Sequence, residues 1–258
     1  MTEANAIDIT RPAEGVALMT ITSQPLGVLR VSVKKAMSAA LTGLEADQSV
    51  RCIVLTGVGK AFSVGSDIKD FSPSADWLME AELAERGLNA QIENSRLPVI
   101  AACNGYTLGG GAVLMLACDI RFAAESAQFG FPEVKVGAFA SGSGTQRLPR
   151  IVGKGRALEL LLTGRTFDAA EALSMNLIEA IFPDDDLLDH ALDIATQIAA
   201  MPASVIAATK QCVTVGLREG EAAGLALEMA LRVATGMGAD ATEGRAAFIE
   251  KRDPRFNR

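Results

Sequence analysis

The chain has 258 residues, 49% of them apolar and 21% charged, and carries a net charge of −7. That length permits one large core, and the composition is that of an ordinary globular protein. The negative balance, without any basic run, argues against a nucleic-acid surface, and no uninterrupted apolar stretch is long enough to span a bilayer. The opening Met-Thr-Glu-Ala-Asn-Ala has the marks of neither a signal nor a transit peptide, so the expected location is the cytoplasm. Cys52, Cys103, Cys118 and Cys212 sit in apolar runs without metal-ligand spacing and read as buried free thiols. His190 is the only histidine, in an acidic segment expected on a helix surface. It cannot build a His-rich metal site, and it is far in sequence from the glycine loops described below, so neither a metal centre nor a Ser-His-Asp triad is expected.

Ile7–Thr10 and Val16–Thr22 read as an opening strand pair. Residues 31–44 have helical spacing, with Val33, Met37, Leu41 and Leu44 on one stripe. Arg51–Thr56 is a strand rich in β-branched residues, and residues 76–95 read as a helix with Trp77, Leu78, Leu83 and Leu88 available for an apolar face. A central strand at 98–102 leads into a helix opened by Gly109, Gly110 and Gly111, and Asp119-Ile-Arg-Phe122 is a short strand. Strand, strand, helix thus recurs every forty to fifty residues, a spacing that suits a stacked repeat. From Val152 onward helices are expected at 156–162, 169–175, 187–200, 204–217, 222–235 and 241–250. Asn176 fits a left-handed helix stop and Pro202 separates two helices. No linker or low-complexity stretch divides the chain.

Two glycine loops carry the chemistry. The first is Gly57-Val-Gly-Lys-Ala-Phe-Ser-Val-Gly65-Ser66-Asp67-Ile68, and the second is Asn104-Gly-Tyr-Thr-Leu-Gly-Gly-Gly111. Three glycines at a helix start cost roughly 1 kcal/mol each relative to alanine inside a helix. Either they let the helix pack closely on a strand, or they bring a ligand against a backbone whose unpaired N–H groups favour negative charge.

Together the loops resemble those of the crotonase, or enoyl-CoA hydratase/isomerase, superfamily, with patterns GxGxxFSxGxD and NGxxxGGG. The resemblance continues through Phe129-Gly-Phe-Pro-Glu133 and Gly144-Thr-Gln-Arg-Leu148 and runs from Val16 to Phe256. It implies an α/β fold, a crotonase-like spiral of repeated ββα units over residues 1–195, followed by a C-terminal helical oligomerisation region over 196–258 that is not an independent domain. It implies an acyl-CoA thioester as substrate, no cofactor beyond the coenzyme A of that substrate, and a homotrimer or a hexamer formed by two trimers.

Carried onto this sequence, the resemblance makes the backbone N–H groups of Ser66 and Gly110 the oxyanion donors. Ser66 as a plain helix cap is the alternative. Val64, Asp67, Ile68, Lys69, Gly109, Val113 and Ser141 fall at substrate-binding positions, and Phe248 and Lys251 resemble a motif that touches CoA from a neighbouring subunit. Hydratases similar to this chain use two Glu residues. Here Val113 holds the first position and cannot transfer a proton, while Glu133 holds the second. One carboxylate suffices to take a proton from C2 of a 3-enoyl-CoA and return it at C4. The resemblance therefore points to an isomerase acting through a dienolate, with Glu133 as base. Slow hydration, hydrolysis or decarboxylation of related thioesters, and acyl-CoA binding without turnover, are the other expectations.

Overall fold

The computed structural model describes residues 6–256. β1 (Ile7–Ala13) and β2 (Val16–Ile21) form an antiparallel hairpin. The helix that follows, α1 (Val31–Ala46), buries Val33, Met37, Leu41 and Leu44, the stripe expected from the spacing. Lys34 is buried with them.

Three ββα units come next. β3 (Cys52–Gly57), β4 (Ala61–Ser63) and α2 (Ala75–Asn94) make the first. β5 (Val99–Cys103), β6 (Tyr106–Leu108) and α3 (Gly110–Ala117) make the second. β7 (Ile120–Ala124), β8 (Gln128–Gly130) and α4 (Gly144–Val152) make the third. Each unit sends its longer strand to one sheet and its three-residue strand to another. The helical part continues with α5 (Lys154–Thr163), β9 (Thr166–Asp168), α6 (Ala169–Ser174), β10 (Ala180–Phe182), α7 (Leu187–Ala199), α8 (Ala203–Glu219), α9 (Glu221–Gly236) and α10 (Ala239–Glu250).

The large sheet has the order β1-β2-β3-β5-β7-β10 and is parallel apart from the β1–β2 pair. The small sheet has the order β4-β6-β8-β9. β3 and β5 are buried along their whole length, as their unbroken apolar runs require of strands covered on both faces. α7 lies across β2, β3, β5 and β7 and closes that core.

Three features differ from the sequence reading. The small-sheet strands are too short to show an alternating pattern. α4 forms where only a motif was read, with Pro149 inside it. In α2 the buried residues are Leu88, Asn89 and Ile92, whereas Leu78 and Leu83 are 45% and 59% exposed. In the first half of that helix Trp77 packs edge-on against Phe71, with ring centroids 5.5 Å apart, while Leu78 and Leu83 stay open, so the expected face is only half covered. Asn176 has φ 59°, in line with the left-handed stop expected there. Among the described residues no single helix is long and apolar enough to cross a membrane, and no group of three or more His, Cys, Asp or Glu residues could hold a metal ion.

Candidate active site

The two glycine loops meet backbone to backbone. A side chain on Gly65, which has φ 83°, would fall 2.5 Å from the Gly110 nitrogen. One on Gly111 would fall 2.2 Å from the Ser63 carbonyl oxygen. No real Cβ tolerates either distance, so glycine is what lets the loops touch. Of the two readings posed above, close packing is what Gly65 and Gly111 do, and Gly110 heads α3 between them. The Ser66 and Gly110 N–H groups find no acceptor among the described residues. Two neighbouring N–H groups are paired, Gly109 donating to Gly130 and Val113 to Gly109. The touching loops thus leave two unpaired main-chain donors, one of them opening a helix, where unpaired N–H groups favour negative charge.

The first loop is pinned from behind. Leu29 N donates to Gly65 O at 2.8 Å, and Ser63 Oγ donates to Gly27 O at 2.7 Å. Asp67 is a structural residue of this loop. Its carboxylate accepts from Lys69 N at 3.1 Å, capping the 3₁₀ turn Ile68–Asp70, and takes the Arg30 guanidinium at 2.7 Å. The Lys69 N–H first, then Arg30, hold its pKa below the usual range. Asp67 rather than Ser66 is therefore the cap, and the Ser66 hydroxyl is left to accept from Lys34 Nζ at 2.9 Å. Ile68 is 68% exposed at the rim of this loop.

Glu133 follows β8 in the 3₁₀ turn Pro132–Val136, as the Phe-Gly-Phe-Pro sequence implied. Its Oε1 lies 3.5 Å from where a Gly109 side chain would project. Its Oε2 is buried without any hydrogen-bond partner. Such a carboxylate is costly in its charged form, and its pKa is raised, first by burial and also by the negative charge of Glu85. Val113 is fully buried, and a side chain on Gly144 would lie 2.8 Å from its Cγ2 and 3.1 Å from Ala140 Cβ. It fills the space beneath the 140–144 turn. Ser141 is half-buried in that turn, its N–H donating to Phe139 O at 2.7 Å. Val64 is half-buried, its N–H donating to Leu26 O. Phe248 and Lys251 stand apart from this cluster on the last helix, which packs against α9, and Phe248 is 86% exposed.

Sequence reasoning missed a second carboxylate and a cation. Glu85 of α2 reaches the glycine helix, with Oε1 3.4 Å from where a Gly110 side chain would sit. Lys34 of α1, its side chain 2% exposed, pairs with Glu85 Oε2 at 2.5 Å. A signal existed. Lys34 lies beside Val33 and three residues before Met37, and Glu85 falls three and seven residues before Leu88 and Ile92. Both charges therefore sit on the buried stripes of their helices.

Unpaired main-chain donors on the two loops and a buried acid without a partner for one of its oxygens are thus gathered around the start of α3. The chain matches the sequence model of the family described as "Enoyl-CoA hydratase/isomerase" over residues 11–258. It is 41% identical over 235 residues to a Mycobacterium bovis protein named "Probable enoyl-CoA hydratase echA8", covering 90% of each chain. It is 37% identical over 244 residues to the mitochondrial enoyl-CoA hydratase of Pongo abelii, covering 90% of this chain and 83% of that protein. The crystal structure of an enoyl-CoA hydratase from Bacillus anthracis superimposes with a TM-score of 0.94 at 33% identity, covering 98% of this chain and 99% of that one. The chain belongs to the enoyl-CoA hydratase/isomerase family.

Proposed function

We propose that the chain acts on unsaturated acyl-CoA thioesters by moving a proton at C2 while the Ser66 and Gly110 N–H groups hold the thioester oxygen. The reaction we assign first is isomerisation of a 3-enoyl-CoA to the 2-enoyl-CoA. Glu133 takes the C2 proton, the electron pair moves into a dienolate on the thioester oxygen, and Glu133 returns the proton at C4. The observation that carries this reading is the Glu133 carboxylate, one oxygen buried without a partner and the other 3.5 Å from the side-chain position of Gly109, the residue before the Gly110 donor. A raised pKa brings such a base nearer the range that abstraction from carbon needs. Val113 supports the assignment, because an aliphatic side chain packed under the 140–144 turn offers no proton.

Glu133→Gln is expected to lower the rate of conjugation of a 3-enoyl-CoA by roughly 10²–10⁴-fold, with the thioester still bound. Equal activity in the variant, or tight acyl-CoA binding without turnover of any unsaturated thioester, would remove the assignment. Hydration of 2-enoyl-CoA is the second reading, favoured by the Glu85 carboxylate beside Gly110 and by the names of the relatives. We further propose that trimers, or trimers paired into hexamers, form through α8–α10 and bring Phe248 and Lys251 to the CoA of a neighbouring subunit.

A further inference from the structure

We propose that Glu85 is the second acid–base residue of this site, supplied from α2 in place of the carboxylate absent at position 113, and that it adds a hydration activity to the isomerisation. The inference rests on the acyl-thioester reading above.

Two carboxylates approach the start of α3 against adjacent glycines. Glu133 Oε1 lies 3.5 Å from the side-chain position of Gly109, and Glu85 Oε1 lies 3.4 Å from that of Gly110. Glu85 also abuts the opposite wall, 2.7 Å from the side-chain position of Gly142. Its partners are Lys34 Nζ at 2.5 Å and the Ser66 hydroxyl, which donates to it at 3.5 Å. Ammonium, carboxylate and hydroxyl thus converge beside the two free main-chain donors, and a water needs two to four such polar partners to be held.

A purely structural role explains this poorly. A buried ion pair adds little stability over a well-packed apolar pair, because taking both charges out of water offsets their attraction. Lys34 stands on the buried stripe of α1, where an apolar residue would serve packing. Nor does the 140–144 turn depend on Glu85. The Gly142 N–H donates to Glu82 at 3.3 Å, and the Gly142 carbonyl accepts from Asn89 at 3.0 Å and Arg147 at 3.3 Å. What Glu85 alone contributes is a carboxylate aimed at the donors, with Lys34 fixing its direction.

The step balances. Glu85 takes a proton from water as the oxygen bonds to C3 of a 2-enoyl thioester. The double-bond electrons move to the thioester oxygen, held by the Ser66 and Gly110 N–H groups. Protonated Glu133 then delivers its proton to C2, giving the 3-hydroxyacyl thioester. Exchange with solvent returns one proton to Glu133 and removes one from Glu85.

The test follows a 3-enoyl-CoA and a 2-enoyl-CoA through the full-length protein by chromatography and mass spectrometry, separating conjugated from hydrated product. Wild type should form both. Glu85→Gln should lower the ratio of hydration to isomerisation by about 100-fold or more, and Glu85→Asp should recover part of it. Because Glu85→Gln leaves Lys34 without a counter-charge, the pair Lys34→Met with Glu85→Gln is measured beside it and should show the same fall. A ratio unchanged in both variants, with the two rates falling together, overturns the proposal and leaves Glu85 a support of the cleft. Wild type that isomerises but never hydrates overturns it while leaving the isomerase assignment standing. Wild type that does neither removes both.

Discussion

Glu133 carries a cost that its chemistry explains. Burial raises its pKa above the ordinary carboxylate value, and the Glu85 charge adds to the rise. Only the ionised form can accept the C2 proton, so kcat/KM for isomerisation should fall with decreasing pH at a point above the ordinary carboxylate range. Glu85→Gln removes one of the raising influences, and the acid limb of that profile should move toward lower pH. For folding the sign is opposite to that of a salt-bridged acid. A raised carboxylate pKa means that the native state favours the protonated form, so stability is lost as pH rises past the unfolded pKa and up to the folded one. At neutral pH Glu133→Gln lifts that penalty, and thermal unfolding should show a higher Tm than the wild type. A residue that costs activity and gains stability on mutation is a functional one. A merely structural carboxylate would lose both.

At the scale of elements, the site is a meeting of two loops whose spacing glycine fixes. A methyl group at Gly111 would fall 2.2 Å from the Ser63 carbonyl, so Gly111→Ala has to push β4 and α3 apart. Overpacking of that kind costs about 1–3 kcal/mol, and if Ser66 and Gly110 are the donors proposed above, their displacement should cost roughly 10²–10³-fold in turnover. Gly87→Ala on α2 is the control. Nothing lies within 4 Å of its side-chain position, so alanine should stabilise the helix by up to ~1 kcal/mol. Urea unfolding and steady-state rates on both variants separate the two cases. The glycine loops were readable in the sequence because main-chain contacts demand a residue type. The α1 stripe was readable because Val33, Met37, Leu41 and Leu44 keep helical period. The Lys34–Glu85 pair was only half readable, since each charge falls on a buried stripe but nothing in either pattern names a partner 51 residues away. Three-residue strands such as β4 and β6 carry no period at all. α4 was seen only as the Gly144–Leu148 motif, and Pro149 sits inside the formed helix.

On the scale of the whole molecule, α8 is tied to the core by polar contacts from Lys210 and Arg218, and α8 and α9 each leave an apolar row in the open. Lys210 of α8 reaches Asp119 at 2.7 Å and the carbonyls of Ile92 and Leu97 at 2.9 Å. α8 and α9 then cross closely, a side chain on Gly224 falling 2.9 Å from Gly216 Cα. Each helix leaves a row uncovered at four-residue spacing: Val213 and Leu217 on α8, and Leu225, Met229 and Val233 on α9, all between 54% and 74% exposed. Rows of this kind are the mark of a surface that another chain covers, and the proposed trimer would bury them. Leu217→Glu with Met229→Glu should therefore shift the protein to monomer in sedimentation velocity and lower its Tm, which in the wild type should rise with protein concentration. Lys210 is untouched by these changes, so α8 should stay docked and circular dichroism should stay native. If Phe248 and Lys251 meet the CoA of a neighbouring subunit, the monomer should show a KM raised well beyond its change in kcat. A double variant that sediments as the wild type would place the oligomer contact elsewhere on the molecule, and a KM that stays put in a true monomer would remove Phe248 and Lys251 from the binding site.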